Sequence, residues 1–188
     1  MRTKKQQEIM QIGVRLLGEC GLRGLRLKKI AEELKVSEPA IYRHFESKEH
    51  LVRCILDWFD ELTEQELRQL DAATPLQNLE QFFKNRVQFC EKHPDIARLL
   101  FSEEPFGKES YSAQTFERMQ KHRQRLGTLI EQAIANGEMR QMSSSSAFRI
   151  LFGSLRLLIK QWCLARFSFS LNKEAESLWC DLKRILTH

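Results

Sequence analysis

The sequence predicts an all-α protein of about nine helices, and three observations carry that expectation. Apolar residues recur at spacings of three and four along nearly the whole chain. No window alternates with the period of two that a half-buried strand needs. Glycines and prolines are few, 8 and 4 among 188 residues, so breaks between periodic segments are short. Hydrophobic residues make up 42% and charged residues of both signs 29%. A chain of this length can hide about 70% of the surface its unfolded form exposes, so it needs no disulfide or metal staples. Collagen-like, low-complexity and disulfide-scaffold classes are excluded.

The first helix carries Ile9, Ile12, Val14, Leu16, Leu17 and Cys20 and stops at Gly21. Leu27, Ile30, Ala31 and Leu34 form a second, shorter stripe. Lys35-Val36-Ser37 is a turn, and a third short helix carries Ala40, Ile41, Tyr42 and Phe45, with Pro39 in its first turn, where a missing N–H is harmless. Ser47 caps a fourth helix running through Leu51, Ile55, Phe59, Leu62 and Leu67. A fifth follows Pro75, with Leu76, Leu79, Phe82, Phe83, Val87 and Phe89 inward, and His93-Pro94 ends it because the residue before proline leaves the helical region. Ile96, Leu99, Leu100 and Phe101 make a short sixth helix, and Pro105, Phe106 and Gly107 mark a loop. A long seventh helix holds Phe116, Met119, Leu126, Leu129, Ile130 and Ile134 and closes at Asn136-Gly137. Ser143 to Ser146 offer caps for an apolar eighth helix through Phe167, and Asn172 caps a last helix, Leu178 to Leu186.

Charge separates the chain's first quarter from the rest. Residues 1–50 hold 11 basic and 7 acidic side chains, whereas residues 51–188 hold 19 and 18, within a total of 30 against 25. A basic N-terminal region suggests a polyanionic partner, although an excess of four is also a common fluctuation. The five cysteines contain no Cys-x-x-Cys pair, so a zinc ribbon or dithiol redox site is unsupported, and reduced thiols in a cytoplasmic protein are expected. The most apolar window, 147–169, includes Arg149, Arg156, Lys160 and Arg166, which argues against a membrane span. There is no Gly-rich phosphate loop, no His-Glu-x-x-His and no nucleophile elbow, so an enzyme is not expected, and neither is a cofactor or metal.

The segment with chemical content is 27–45. Two short helices joined by a tight turn, with the small Ala31 at their crossing, have the helix-turn-helix pattern. The outer face of the second would present Glu38, Ala40, Arg43 and His44, with Tyr42 towards its end. A helix of this size fits the major groove, about 12 Å wide, with its N-terminal side chains on base edges. Short helix pairs also occur in bundles that bind nothing.

The run from Gly21 to Leu51 resembles the DNA-binding domain of the tetracycline-repressor (TetR) family. The matching features are the glycine closing helix one, Ile30-Ala31, Val36-Ser37, and Ile41-Tyr42-x-His44-Phe45-x-Ser47-Lys48-Glu49-x-Leu51. The resemblance covers about residues 5–55. It implies a bacterial regulator, usually a repressor, with a helix-turn-helix domain over 1–47 and an effector-binding and dimerisation domain over 48–188. Such a protein binds a palindromic double-stranded operator as a homodimer, and a small-molecule effector changes the spacing of its reading heads. Carried over by position, Tyr42 and Lys48 would contact phosphates. Ser37, Glu38, Ala40 and Arg43 would approach bases or flanking phosphates, and His44 the backbone. Arg2, Lys4 and Lys5 would form a flexible arm. Arg26 stands where the family has a capping Thr or Ser and can itself meet a phosphate, with Lys28 adding positive charge on the same helix. Lys35 stands where glycine is common, so the turn needs a left-handed non-glycine residue.

For the second domain, Phe82, Phe83, Arg86, Phe89, Phe101, Phe116 and Phe152 are candidate pocket residues, and core packing explains the aromatics equally well. They hint at a hydrophobic effector. His122, between Lys121 and Arg123, reads as solvated. Gly153, Leu157, Trp162 and Leu164 with Leu178, Trp179 and Leu182 are candidates for a four-helix dimer seam. The alternative reading is a helical ligand sensor or interaction protein of the same fold that has lost sequence-specific DNA binding.

Overall fold

The computed structural model describes residues 2–101 and 109–187, and of residues 109–116, 118 and 119 the backbone only. Nine helices and no strand occur among the described residues: α1 Lys4–Gly24, α2 Leu27–Glu33, α3 Glu38–Tyr42, α4 Lys48–Arg68, α5 Pro75–Lys92, α6 Pro94–Phe101, α7 Glu109–Ala135, α8 Ser144–Leu164 and α9 Leu171–Leu186. The expected loop at Pro105, Phe106 and Gly107 lies outside the described residues.

Local chemistry sets most of the ends. Thr3 and Gln6 form a reciprocal capping box at α1, while Ser47, Thr74 and Ser143 each accept a backbone N–H at α4, α5 and α8. Two ends differ from the sequence reading. Ser170, not Asn172, caps α9, because its hydroxyl accepts the Lys173 N–H and the helix begins at Leu171. The eighth helix stops at Leu164 rather than reaching Phe167, where Arg166 and Phe167 take φ of 52° and 63° and cannot continue it. Gly21 is not a full stop but a kink, with φ 64° and ψ −175°, after which one further turn forms.

Two apolar clusters fill the interior. The first joins Ile9, Leu16, Ile30, Ile41, Phe45, Leu51 and Ile55 of α1–α4 with Ile96 and Leu99 of α6. The second joins Phe83, Val87, Ile130, Leu151, Ile159, Trp162 and Trp179 of α5 and α7–α9 with Ala97 of α6. α6 therefore packs into both. It meets α1 at Gly18, where a Cβ would lie 3.3 Å from the Asp95 carbonyl oxygen and 3.5 Å from Arg98 Cδ. Glycine lets the two backbones approach this closely.

Candidate nucleic-acid interface

The short helices α2 and α3 are held by their inward residues. Leu27, Ile30, Ala31, Ile41 and Phe45 are all buried, and Leu34 and Val36 pack against the same cluster. Between them, the Leu34 N–H donates to the Ile30 carbonyl and the Val36 N–H to that of Ala31, both at 3.0 Å. Lys35 takes φ 53° to make this turn, as its position predicts, and its side chain is exposed. Arg26 occupies the N-cap of α2 without a side-chain cap bond, so its guanidinium is left outward.

Burying one face of α3 forces the other into solvent. Ser37, Tyr42 and Arg43 are exposed, Tyr42 by 48%, and Glu38, Ala40 and His44 are half-buried. Lys28 is exposed on α2. Lys48 begins α4, and its ammonium donates to the Leu22 carbonyl at 3.2 Å, joining α4 to the end of α1. The other two ammonium protons remain for an anion at the α4 N-terminus, where free backbone N–H groups add positive potential. Ser37, Tyr42 and Arg43 of the α3 segment, Arg26 and Lys28 of the α2 segment, and Lys48 of α4 are thus all left at least partly open to solvent.

Lys4 lies apart from them. α1 runs antiparallel to α4, with Gly13 against Leu51 and Ile55, so Lys4 stands about 27 Å along the helix from Leu22. Arg2 is not a free arm either. Its guanidinium donates to both carboxylate oxygens of Glu61 at 2.5 and 2.9 Å, and Lys5 pairs with Glu8 at 3.0 Å.

The pocket candidates whose side chains are described make these contacts. Phe83 tilts against Trp179 with centroids 5.0 Å apart, and Phe82 meets Phe152 edge-on at 5.6 Å. Arg86 lies over Phe82 and Phe89, and donates to Glu66 Oε2 at 2.7 Å and Thr63 Oγ1 at 3.2 Å. Phe101 lies under the Arg156 guanidinium, and Phe116 falls outside the described side chains. None of these candidates lines either described cavity. One, of about 400 Å³, is bounded by Leu67, Leu70, Asn78, Arg125, Thr128, Leu129 and Gln132. The other, of about 660 Å³, lies between α7 and the start of α8.

His122 is not solvated. Its Nε2 sits 3.0 Å from Asp60 Oδ1 and 3.7 Å from Glu64 Oε1, without hydrogen-bond alignment. Glu64 also holds Arg125 at 2.5 Å and Lys121 at 3.5 Å, so α4 and α7 are tied by charge. Burial pushes the His122 imidazole below its ordinary pKa, with Asp60 and Glu64 pulling it back up. Burial likewise raises the Glu66 carboxyl, with Arg86 opposing. Cys90 is pushed up to about 12 by burial, so it is an inert core thiol.

On the far side, three of the seam candidates turn inward: Trp162, Trp179 and Leu182 are 5%, 5% and 3% exposed. The Trp162 ring is fixed by its N–H donating to the Phe169 carbonyl at 3.0 Å. Leu157 and Leu164 on α8 remain exposed by 57% and 73%, with Gly153 beside them and Leu178 half-buried on α9. Ile185, two turns beyond Leu178, joins them at 57%; the spacing of seven was the available signal. Among the described residues no helix is long and apolar enough to cross a membrane, and no cluster of His, Cys, Asp or Glu could hold a metal.

The family model described as "Bacterial regulatory proteins, tetR family" matches residues 9–55, the span from mid-α1 into α4. Along nearly its whole length the chain is similar to the nucleoid occlusion factor SlmA of Shewanella pealeana, 22% identical over 95% of this chain and 92% of that protein. It shares its fold with the transcriptional regulator FadR from Bacillus subtilis, solved with stearoyl-CoA, at a TM-score of 0.78, 18% identity and coverage of 94% and 96%. NalD, the secondary repressor of the MexAB-OprM multidrug efflux pump in Pseudomonas aeruginosa, superimposes at a TM-score of 0.74 with 26% identity over 98% and 96%. With its helix-turn-helix edge and the match over residues 9–55, the chain carries over that span the DNA-binding domain of the tetR family of bacterial regulatory proteins.

Proposed function

We propose that this protein is an effector-responsive transcriptional repressor, acting in the cytoplasm as a homodimer on a palindromic operator. The observation that carries the reading is the α3 edge, where Ser37, Tyr42 and Arg43 stand in solvent beside Lys48 at the start of α4. Arg43 and Glu38 are assigned to base edges, since guanidinium suits guanine and carboxylate suits the cytosine amino group. Tyr42, Lys48, Arg26 and Lys28 are assigned to phosphates, which fix register without reading sequence. The second copy is placed against Leu157, Leu164, Leu178 and Ile185, an apolar strip suited to a two-fold seam. The effector is assigned to the cavity of about 400 Å³ between α4, α5 and α7, where Leu67, Leu70 and Leu129 favour an apolar body and Arg125 a polar end. The stearoyl-CoA complex of the similar FadR agrees with an apolar ligand. By linkage, an effector preferring the wrong head spacing lowers operator affinity by the factor by which DNA lowers its own.

The test is selection of binding sequences from random duplex DNA at near-physiological salt. Enrichment of a palindrome is expected, with Lys48→Ala weakening all sequences alike and Arg43→Ala changing base preference. A folded, dimeric protein that enriches nothing overturns the reading in favour of a sensor or interaction role.

A further inference from the structure

The connection between α3 and α4 carries His44 on one side and Lys48 on the other, so its shape decides how the reading helix stands relative to the phosphate grip. Two of its backbone groups are held by one residue. The His50 N–H donates to Ser47 Oγ at 3.0 Å, the ordinary cap of α4. In return the His50 ring reaches back, and its Nδ1 accepts the Glu46 N–H at 3.2 Å. The same ring stands edge-on to Phe45, with centroids 5.8 Å apart at 67°, and Phe45 is itself only 2% exposed, anchored in the core. On the other flank, the His44 and Phe45 N–H groups both donate to the Ile41 carbonyl, at 2.9 and 3.0 Å. Residues 44–47 are thereby bonded to α3 at one end and to α4 at the other.

The sequence spacing is that of a capping box, Ser-x-x-His, but the imidazole reaches one residue further back than Glu or Gln would, to the N–H of Glu46 before the Ser47 cap. A free N–H at Glu46 would have to be met by water, and the segment would lose the bond and the ring contact that fix it. We infer that His50 is a positioning residue for DNA reading: it touches no base or phosphate itself, and it sets the angle between α3 and the Lys48 end of α4. Accepting at Nδ1 requires the ring's proton to sit on Nε2. A Gln side chain supplies an acceptor of similar reach, whereas Ala supplies none.

This inference rests on the operator-binding reading above, and its test separates the two. The probe is the duplex enriched by the wild-type protein, set against a duplex of scrambled sequence, for full-length dimeric wild type, His50→Ala and His50→Gln. His50→Ala is expected to lose at least about fivefold on the enriched duplex, the scale of one hydrogen bond. Its affinity for the scrambled duplex should be unchanged, because every cation remains. His50→Gln should recover the enriched-duplex affinity, and amide exchange at Glu46 should be fast in the Ala variant and slow again in the Gln variant. A merely structural residue would lower both affinities together with thermal stability. Equal binding by His50→Ala, or a Gln variant as weak as Ala at equal stability, overturns the inference while leaving DNA binding intact. A wild type that enriches no duplex overturns both.

Discussion

Removing the Arg86 guanidinium is the sharpest probe of how the second helical cluster is held. Arg86 and Glu66 are only 14% and 15% exposed, and among the described residues their contact at 2.7 Å is the one hydrogen bond of Glu66's carboxylate, whose other oxygen is buried without a partner there. Arg86→Ala leaves that carboxylate in a low-dielectric site with nothing opposite it. It also removes the cation lying 5.2 Å from the Phe82 centroid. Breaking a buried pair by deleting one partner costs about 3–5 kcal/mol, and the residual exposure of both groups places this case near 3. For a chain of this size that corresponds to a fall in Tm of roughly 6–12 °C. The pH dependence identifies the cause. Burial already raises the Glu66 carboxyl, so its favourable contribution is present in acid and is lost as pH rises through the folded-state value. Deleting Arg86 raises it further. The deficit of the variant should therefore be larger at about pH 7.5 than at about pH 5.5. Urea unfolding at fixed protein concentration reads both, and adding Glu66→Met to Arg86→Met should recover most of the loss. A deficit below about 1 kcal/mol, or one that does not change with pH, would refute the orphaned-charge argument.

Three further outcomes are expected. Leu99→Ala, at a site with no exposure where α6 enters the first cluster, should cost about 2–5 kcal/mol in denaturant unfolding. Stability of the wild type should decline as pH falls below the ordinary histidine value, because the buried His122 ring resists protonation in the folded state. His122→Gln should flatten that decline in a pH series of thermal melts. Leu157→Glu together with Ile185→Glu should shift sedimentation from dimer towards monomer while helical circular dichroism is kept, since both side chains are exposed in the single chain.

The helix-turn-helix segment was legible in the sequence because it is built from local signals. Ser47 caps what its position says it caps, Lys35 takes the left-handed turn expected of it, and Arg26 leaves α2 without a side-chain cap. The second cluster was less legible because periodicity tells that a residue is buried but not against what. Trp162 and Trp179 fall on apolar stripes next to Leu157 and Leu178, and only the packing of α8 on α9 sends the tryptophans inward while leaving Leu157 exposed and Leu178 half-buried. His122 sits between two cations in sequence and so reads as solvated. In three dimensions its neighbours are Asp60 and Glu64, more than 50 residues earlier. Arg86 pairs with Glu66 for the same reason, across two helices, and no spacing rule connects them.

The double membership of α6 has a consequence for how this chain is made. Ile96 and Leu99 complete the cluster that supports α2 and α3, yet they are synthesised well after those helices have left the ribosome. Until they arrive, the face of α1 at Gly18 that α6 packs against lacks that cover, and a fragment cut after α4 would lack it permanently. The N-terminal helices thus share part of their packing with α6. Their last support comes from a two-turn helix whose Ala97 already belongs to the other half, so the two halves should melt as one cooperative unit rather than in sequence.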